Sequence, residues 1–159
     1  MKLSQNLKLA IEASIKAGKK ILEIYTSDDF IVEYKSDESP LTLADKSSDE
    51  IIKKTLKISN IPVLSEEGNV LDFNKRKDLK HLWIVDPLDG TKEFIKKNDE
   101  FKTSCLVDRK KDDFIAIFLR KNQTVKLLIF KIKEVPTLQK SSGVIGFKSK
   151  DYNTVSIHA

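Results

Sequence analysis

The chain has 159 residues, 40% of them hydrophobic, and a formal net charge of +5 from 29 Lys and Arg against 24 Asp and Glu, with a pI near 9.1. That length predicts one domain, large enough to bury roughly two-thirds of the surface its unfolded chain exposes. The single cysteine, Cys105, excludes an internal disulfide and fits a reducing cytoplasm, no apolar run is long enough to span a membrane, Lys and Glu interrupt the first apolar stretch as a secretory signal would not allow, and the scattered lysines lack the arginine-rich arm of a nucleic-acid binder.

Leu3, Leu7, Ala10, Ile11, Ile15, Gly18, Ile21, Leu22 and Tyr25 recur at helical spacing and predict a long amphipathic helix from about Ser4 to Tyr25. Phe30–Tyr34 reads as a short strand. Ser39-Pro40 marks a turn. Thr42 is a candidate N-cap for a second helix, about Leu43–Ile58, that buries Ile51, Ile52 and Leu56, with Asp45 in its first turn. Strands follow near Val63 and Trp83, then a short helix after Gly90. Further strands near 103–107, 114–119 and 124–132 complete a mostly antiparallel sheet. Helices first and strands later argue an α+β fold, two main helices packed on that sheet. The stretch from Val135 to Ala159 is rich in Ser, Lys and Gly, has no period and is expected to be irregular. His81 beside Lys80 reads as solvated surface and His158 as a terminal residue, neither with a second soft ligand nearby.

The chemistry concentrates where Leu82-Trp83-Ile84-Val85 runs into Asp86-Pro87-Leu88-Asp89-Gly90-Thr91. A buried strand there delivers two carboxylates, three residues apart, to its own end. Carboxylates held that close repel unless a cation or proton sits between them, and hard divalent cations such as Mg²⁺ favour oxygen ligands of this kind. Pro87 fixes its own φ and pushes Asp86 towards extended backbone, which leaves the Leu88 carbonyl as a further oxygen donor. Gly90 tolerates a sharp turn and a close approach of backbone to ligand. Thr91 opens a helical turn whose N–H groups suit a phosphate. The plainer alternative makes Asp89 an N-cap and Asp86 a turn residue. Val63-Leu64-Ser65-Glu66-Glu67-Gly68 repeats the layout, a strand, then acids, then Gly. Alone, Glu66-Glu67 is a solvated loop pair; together, two strands ending in acids suggest one shared site at one sheet edge. Asp45 has a structural role open to it, stabilising the helix dipole by about 0.3–1 kcal/mol, and a functional one, as base partner for a water or hydroxyl.

These three segments together resemble the inositol monophosphatase superfamily of Mg²⁺-dependent, lithium-sensitive phosphatases. The run Gly90-Thr91-Lys92-Glu93-Phe94-Ile95-Lys96 is similar to its 3'(2'),5'-bisphosphate nucleotidase branch, as is Lys35-x-Asp37-x-Ser39-Pro40-x-Thr42-x-Ala44-Asp45. The resemblance spans about Leu3 to Phe101 and implies the N-terminal half of the sugar-phosphatase fold. It assigns Glu66, Asp86 and the Leu88 carbonyl to a first metal, and Asp86 with Asp89 to a second. Glu66 would also orient a third, hydrated ion. Asp45 with Thr91 would activate the attacking water, and Gly90, Thr91, Glu66 and Lys35 would contact the phosphate. Two or three Mg²⁺ ions, inhibition by lithium, and a phosphorylated nucleotide substrate in the cytoplasm are implied with it, without nucleic-acid binding or stable membrane insertion.

The chain departs from the family pattern in three places, one of them Asp99, which stands where this branch usually has Gly. After Glu-Phe the family reads roughly T-V-N-I-A-L; here it is Lys102-Thr103-Ser104-Cys105-Leu106-Val107. The second α/β domain carries a W-D-x-A-A motif, and the only Trp here is Trp83. The expectation is therefore a metal-binding α+β phosphatase domain over 1–134, an irregular tail over 135–159, and no C-terminal family domain. Two alternatives stand beside hydrolysis of the 3'-phosphate of 3'-phosphoadenosine 5'-phosphate. One is an inositol monophosphatase or fructose-bisphosphatase activity; the other is an inactive remnant that acts as a binding or homodimerising subunit.

Overall fold

The computed structural model describes residues 4–27, 32–35, 40–68, 73–76, 78–108, 114–121, 124–131 and 153–155. The first helix, α1, runs Gln5–Ser27, and the Leu7 N–H donates to Ser4 Oγ at 3.2 Å, closing its first turn. β1 (Val32–Tyr34) and β2 (Pro40–Thr42) pair antiparallel as a two-stranded ribbon with Val32 opposite Thr42. Pro40 thus starts a strand, a position that needs no N–H.

α2 spans Leu43–Leu56, followed by a 3₁₀ turn over Lys57–Ser59. The predicted helix to Ile58 splits there because the last turn tightens, and Asn60, at φ +54°, ends it in the left-handed region that Asn tolerates. Thr42 is the N-cap and forms a reciprocal capping box with Asp45, as the sequence predicts.

β3 (Val63–Ser65), α3 (Phe73–Arg76), β4 (Leu82–Asp89), α4 (Thr91–Ile95), β5 (Phe101–Asp108), β6 (Phe114–Lys121), β7 (Thr124–Lys131) and β8 (Asn153–Val155) follow. The order in the main sheet is β3-β4-β5-β6-β7-β8. β4 through β7 pair antiparallel, as expected, and β8 joins β7 antiparallel, but β3 and β4 are parallel, with Ser65 opposite Val85. The turn of α3 was not legible in its sequence. Of the tail expected to be irregular, Asn153–Val155 is a strand beside β7; the rest of that expectation, with His158 and the first two residues of the predicted Phe30–Tyr34 strand, lies outside the described residues.

α1 packs on α2, β5 and β6, and α2 packs on β4. Ala10, Ala13 and Ala17 are fully buried along α1, so small side chains let the two helices approach closely. Two apolar clusters result. One joins Leu7, Ala13, Ile52 and Leu56 to Trp83 and Val85 of β4, and the Trp83 indole N–H donates to Ser59 Oγ at 2.9 Å. The other joins Ile21, Ile24 and Tyr25 to Leu88, Phe94 and Phe101, with the three aromatic rings 5.0–5.4 Å apart at tilted or edge-on angles. β4 crosses both clusters, so its C-terminal end is clamped between helix and sheet. Among the described residues no helix is long and apolar enough to cross a membrane.

Candidate active site

The parallel β3–β4 pair decides where the acids go. Both strands point the same way, so both deliver their C-terminal residues to one edge; an antiparallel pair would have separated them. The register continues past Ser65 and Val85, with the Glu66 N–H donating to the Val85 carbonyl at 3.1 Å. Glu66 and Asp86 are therefore neighbours across the pair.

Asp86 is the strained member. Its Oδ1 is buried and has no hydrogen-bond partner. Burial, then the charges of Glu66 and Asp89, then the hydrogen bond shared with Glu66 push its carboxyl up to about 8, against a smaller opposing pull from Lys102. Native structures rarely leave a buried polar atom orphaned unless a function occupies it.

β4 breaks register between Asp86 and Asp89. Pro87, which has no N–H to give, sits buried in that break, and its carbonyl is held by Ser48 Oγ at 2.9 Å and by the Thr103 hydroxyl. Asp89 then pairs with Lys102 across the ladder, Oδ2 to Nζ 2.6 Å. Gly90, at φ +94°, is the N-cap of α4; a Cβ there would lie 3.0 Å from the Glu100 carbonyl. Asp89 is thus not the cap, which corrects the plainer sequence reading: the turn needs a left-handed residue at 90, and Asp89 is engaged by Lys102.

The third acid comes from the capping box. Asp45, 1% exposed, accepts at Oδ2 from the Thr42 N–H (2.6 Å) and hydroxyl (2.5 Å), and at Oδ1 from the Thr91 hydroxyl at 3.0 Å. Thr91 Oγ1 also lies 3.1 Å from the Leu88 carbonyl. Its one proton serves either acceptor, and its lone pairs remain able to accept. Asp45 thus keeps the capping contacts on Oδ2 and the Thr91 hydroxyl on Oδ1. The Leu88 carbonyl, expected to be free, has Thr91 as a neighbour but keeps a second lone pair.

Lys35 lies within the acidic edge, Nζ 2.7 Å from Glu67 and 3.9 Å from Glu66. Burial lowers the Lys35 ammonium, but the hydrogen bond and charge of Glu67 outweigh it and hold it above its usual value. Burial raises the Glu67 carboxyl, and Asp45 and Glu66 add to that against Lys35. Both groups move up, which favours the charged form of Lys35 but the neutral form of Glu67, because at Glu67 burial and the neighbouring acids outweigh the pull of Lys35. Lys35 was expected as a phosphate contact; here its ammonium is already committed to carboxylates.

Sequence reasoning missed several residues at the site. Asp49, one helical turn after Asp45 and 7% exposed, accepts from Ser65 Oγ at 2.5 Å and pairs with Lys53 at 2.6 Å. Ser65 Oγ in turn accepts from the Glu67 N–H at 3.3 Å, which fixes the turn carrying both glutamates. The spacing of Asp45, Ser48 and Asp49 on one helix face was the available clue.

Among the described residues no group of three or more His, Cys, Asp or Glu side chains gathers closely enough to hold a metal. The pairing of Asp89 with Lys102 and of Glu67 with Lys35 accords with that. The donor chemistry nevertheless fits a hard cation: all the groups are oxygens, and the orphaned Asp86 Oδ1 beside Glu66 is an oxygen that such an ion would satisfy.

A model of the inositol monophosphatase family matches residues 2–111. The 3'(2'),5'-bisphosphate nucleotidase CysQ of Buchnera aphidicola subsp. Acyrthosiphon pisum is 47% identical over 88 residues, 54% of this chain and 33% of that protein. The protein of the same name from Escherichia coli (strain K12) is 40% identical over 99 residues, 60% of this chain and 40% of that one. The chain thus matches less than half the length of these curated relatives. Among solved structures, CysQ from Bacteroides thetaiotaomicron superposes with a TM-score of 0.64 at 38% identity, covering 91% of this chain and 51% of that one.

Proposed function

The chain belongs to the inositol monophosphatase family, and from that premise we propose that it is a Mg²⁺-dependent phosphomonoesterase that hydrolyses the 3'-phosphate of 3'-phosphoadenosine 5'-phosphate. The observation that carries the reading is the meeting of Asp86, its Oδ1 orphaned, with Glu66 at the edge that also holds the Asp45–Thr91 hydrogen bond. Similarity to proteins named 3'(2'),5'-bisphosphate nucleotidase supports the choice of substrate.

Glu66, Asp86 and the Leu88 carbonyl would hold Mg²⁺, with Asp89 contributing to a second ion and Glu66 to a third. When bound, the metal supplies positive charge for the phosphoryl oxygens and lowers the pKa of water. The chain's own residues do the rest. The Thr91 hydroxyl, donating to Asp45, accepts a proton from the attacking water. That proton passes through Oγ1 to the Asp45 carboxylate. The water oxygen forms the new bond to phosphorus as the bond to the 3'-oxygen breaks in line, and the departing alkoxide takes a proton from solvent. Gly90 and Thr91 bring backbone close to the phosphate. The Thr42 bonds to Asp45 Oδ2 fix the orientation of Oδ1, the kind of positioning that is worth several kcal/mol when complete. A cytoplasmic location accords with this substrate.

The test is phosphate release from 3'-phosphoadenosine 5'-phosphate with Mg²⁺, run beside inositol 1-phosphate and with lithium added. Lithium-sensitive release from the nucleotide, lost in Asp86→Asn, is the expected result. Release from inositol 1-phosphate in preference would shift the substrate to the other branch, and release from neither would remove the proposal.

A further inference from the structure

Among the described residues, Lys102 is the one basic side chain that the register of the sheet places directly opposite a site carboxylate. Asp89 and Lys102 are cross-strand partners just beyond the break in β4, and their charged atoms are 2.6 Å apart. The influence of Lys102 extends further, since it also opposes the rise of the Asp86 carboxyl. An ammonium therefore sits among the oxygens that the proposed function reserves for a cation. Its presence there follows from position: β5 is antiparallel to β4, and Phe101 is buried in the aromatic cluster, so the next side chain along faces the opposite side of the sheet, towards Asp89.

We propose that Lys102 is a built-in competitor for the Asp89 carboxylate, so that a divalent cation engages Asp89 only by displacing the Lys102 ammonium. The inference rests on the assignment of Asp86 and Asp89 as metal ligands and deepens it. One carboxylate cannot give its full charge to two cations. The ion pair is only partly exposed, so water screens it less than a free surface pair. The Lys102 side chain is long and flexible, and it can withdraw to solvent when a stronger cation arrives. Lys102 thus sets how much metal the edge must see before Asp89 is recruited. It is a positioning residue, acting on the ligand.

The experiment is a Mn²⁺ titration of the full chain, with free Mn²⁺ read by electron paramagnetic resonance. It compares wild type, Lys102→Gln, Lys102→Arg and Asp86→Asn. Lys46→Gln serves as control, because it removes the same charge from an exposed lysine paired with Glu33 at 2.7 Å. Lys102→Gln is expected to bind Mn²⁺ about tenfold more tightly than wild type, Lys102→Arg to keep wild-type affinity, and Lys46→Gln to change it less than twofold. Thermal unfolding in EDTA checks that each variant folds. Equal affinity in wild type and Lys102→Gln, with binding still lost in Asp86→Asn, overturns the competition while leaving the metal site in place. A gain in Lys46→Gln as large as in Lys102→Gln overturns it too, since net charge then accounts for the effect. Absence of Mn²⁺ binding in every variant overturns both readings.

Discussion

Replacing Asp86 by Asn should make the metal-free chain more stable at alkaline pH, although it destroys the proposed site. The folded chain holds the Asp86 carboxyl at about 8, against 3.8 for the same group unperturbed. A raised carboxyl means the folded state keeps a proton that the unfolded state has given up. That contribution is complete below pH ~4 and is lost as pH rises through about 8. At 1.36 kcal/mol per pH unit the interval sets a ceiling of about 6 kcal/mol. The repulsion is shared with Glu66 and Asp89, and part of the residue faces water, so about 2 kcal/mol is the expected loss. Asn is the uncharged isostere, and its amide can donate to Glu66 as a protonated Asp86 would. Urea denaturation in EDTA at pH 5 and pH 8.5 should therefore show Asp86→Asn more stable than wild type by about 2 kcal/mol at the higher pH, and by under about 1 kcal/mol at the lower. Added Mg²⁺ should raise wild type and leave the variant unchanged. If the two proteins show the same dependence on pH, or the variant is the weaker at pH 8.5, the account of a strained, cation-seeking carboxylate is wrong.

Three further outcomes are expected. Thr91→Val removes the hydroxyl between Asp45 and Leu88; kcat on the nucleotide should fall about 10²–10³-fold, while the unfolding free energy changes by only about 1 kcal/mol. Ser59→Ala leaves the buried Trp83 indole N–H without its partner and should cost about 1–2 kcal/mol in denaturant unfolding with kcat unchanged. Gly90→Ala forces a side chain into φ +94° with a 3.0 Å approach to the Glu100 carbonyl; it should cost about 1–3 kcal/mol and lower phosphate release in the same assay.

Much of the fold was legible because its long elements have clean periods. The stripe from Leu7 to Tyr25 and the Thr42–Asp45 box fix α1 and α2, and the apolar runs near 103–107, 114–119 and 124–132 mark three strands. The site was legible as a set of residue types: Glu66, Asp86 and Asp89 at strand ends, Asp45 and Thr91 at helix starts. What the sequence could not convey was pairing. Three residues of β3 carry no mark of running parallel to β4, because direction depends on the crossover and on what packs over it. Lys102 read as one lysine among many until the ladder set it opposite Asp89. Asp49 and the pairing of Lys35 with Glu67 were hidden in the same way, since the partners concerned lie 16 and 32 residues away.

The parallel β3–β4 pairing also orders events in time. Antiparallel neighbours such as β5, β6 and β7 can zip from their turns, but Ser65 and Val85 meet only after the whole intervening stretch has been looped back, an entropic debt that non-local pairs settle late. Within the described residues, α1 and α2 precede β4 in the chain and can associate before it during synthesis. Glu66 and Asp86 have no shared edge until that loop closes, so a nascent or partly unfolded chain offers a cation only isolated acids. If the proposed metal site is right, a cation would report on completed folding: it would find its pair of oxygens after the core has condensed, and a register slip of β3 by one residue would release it without unfolding a helix.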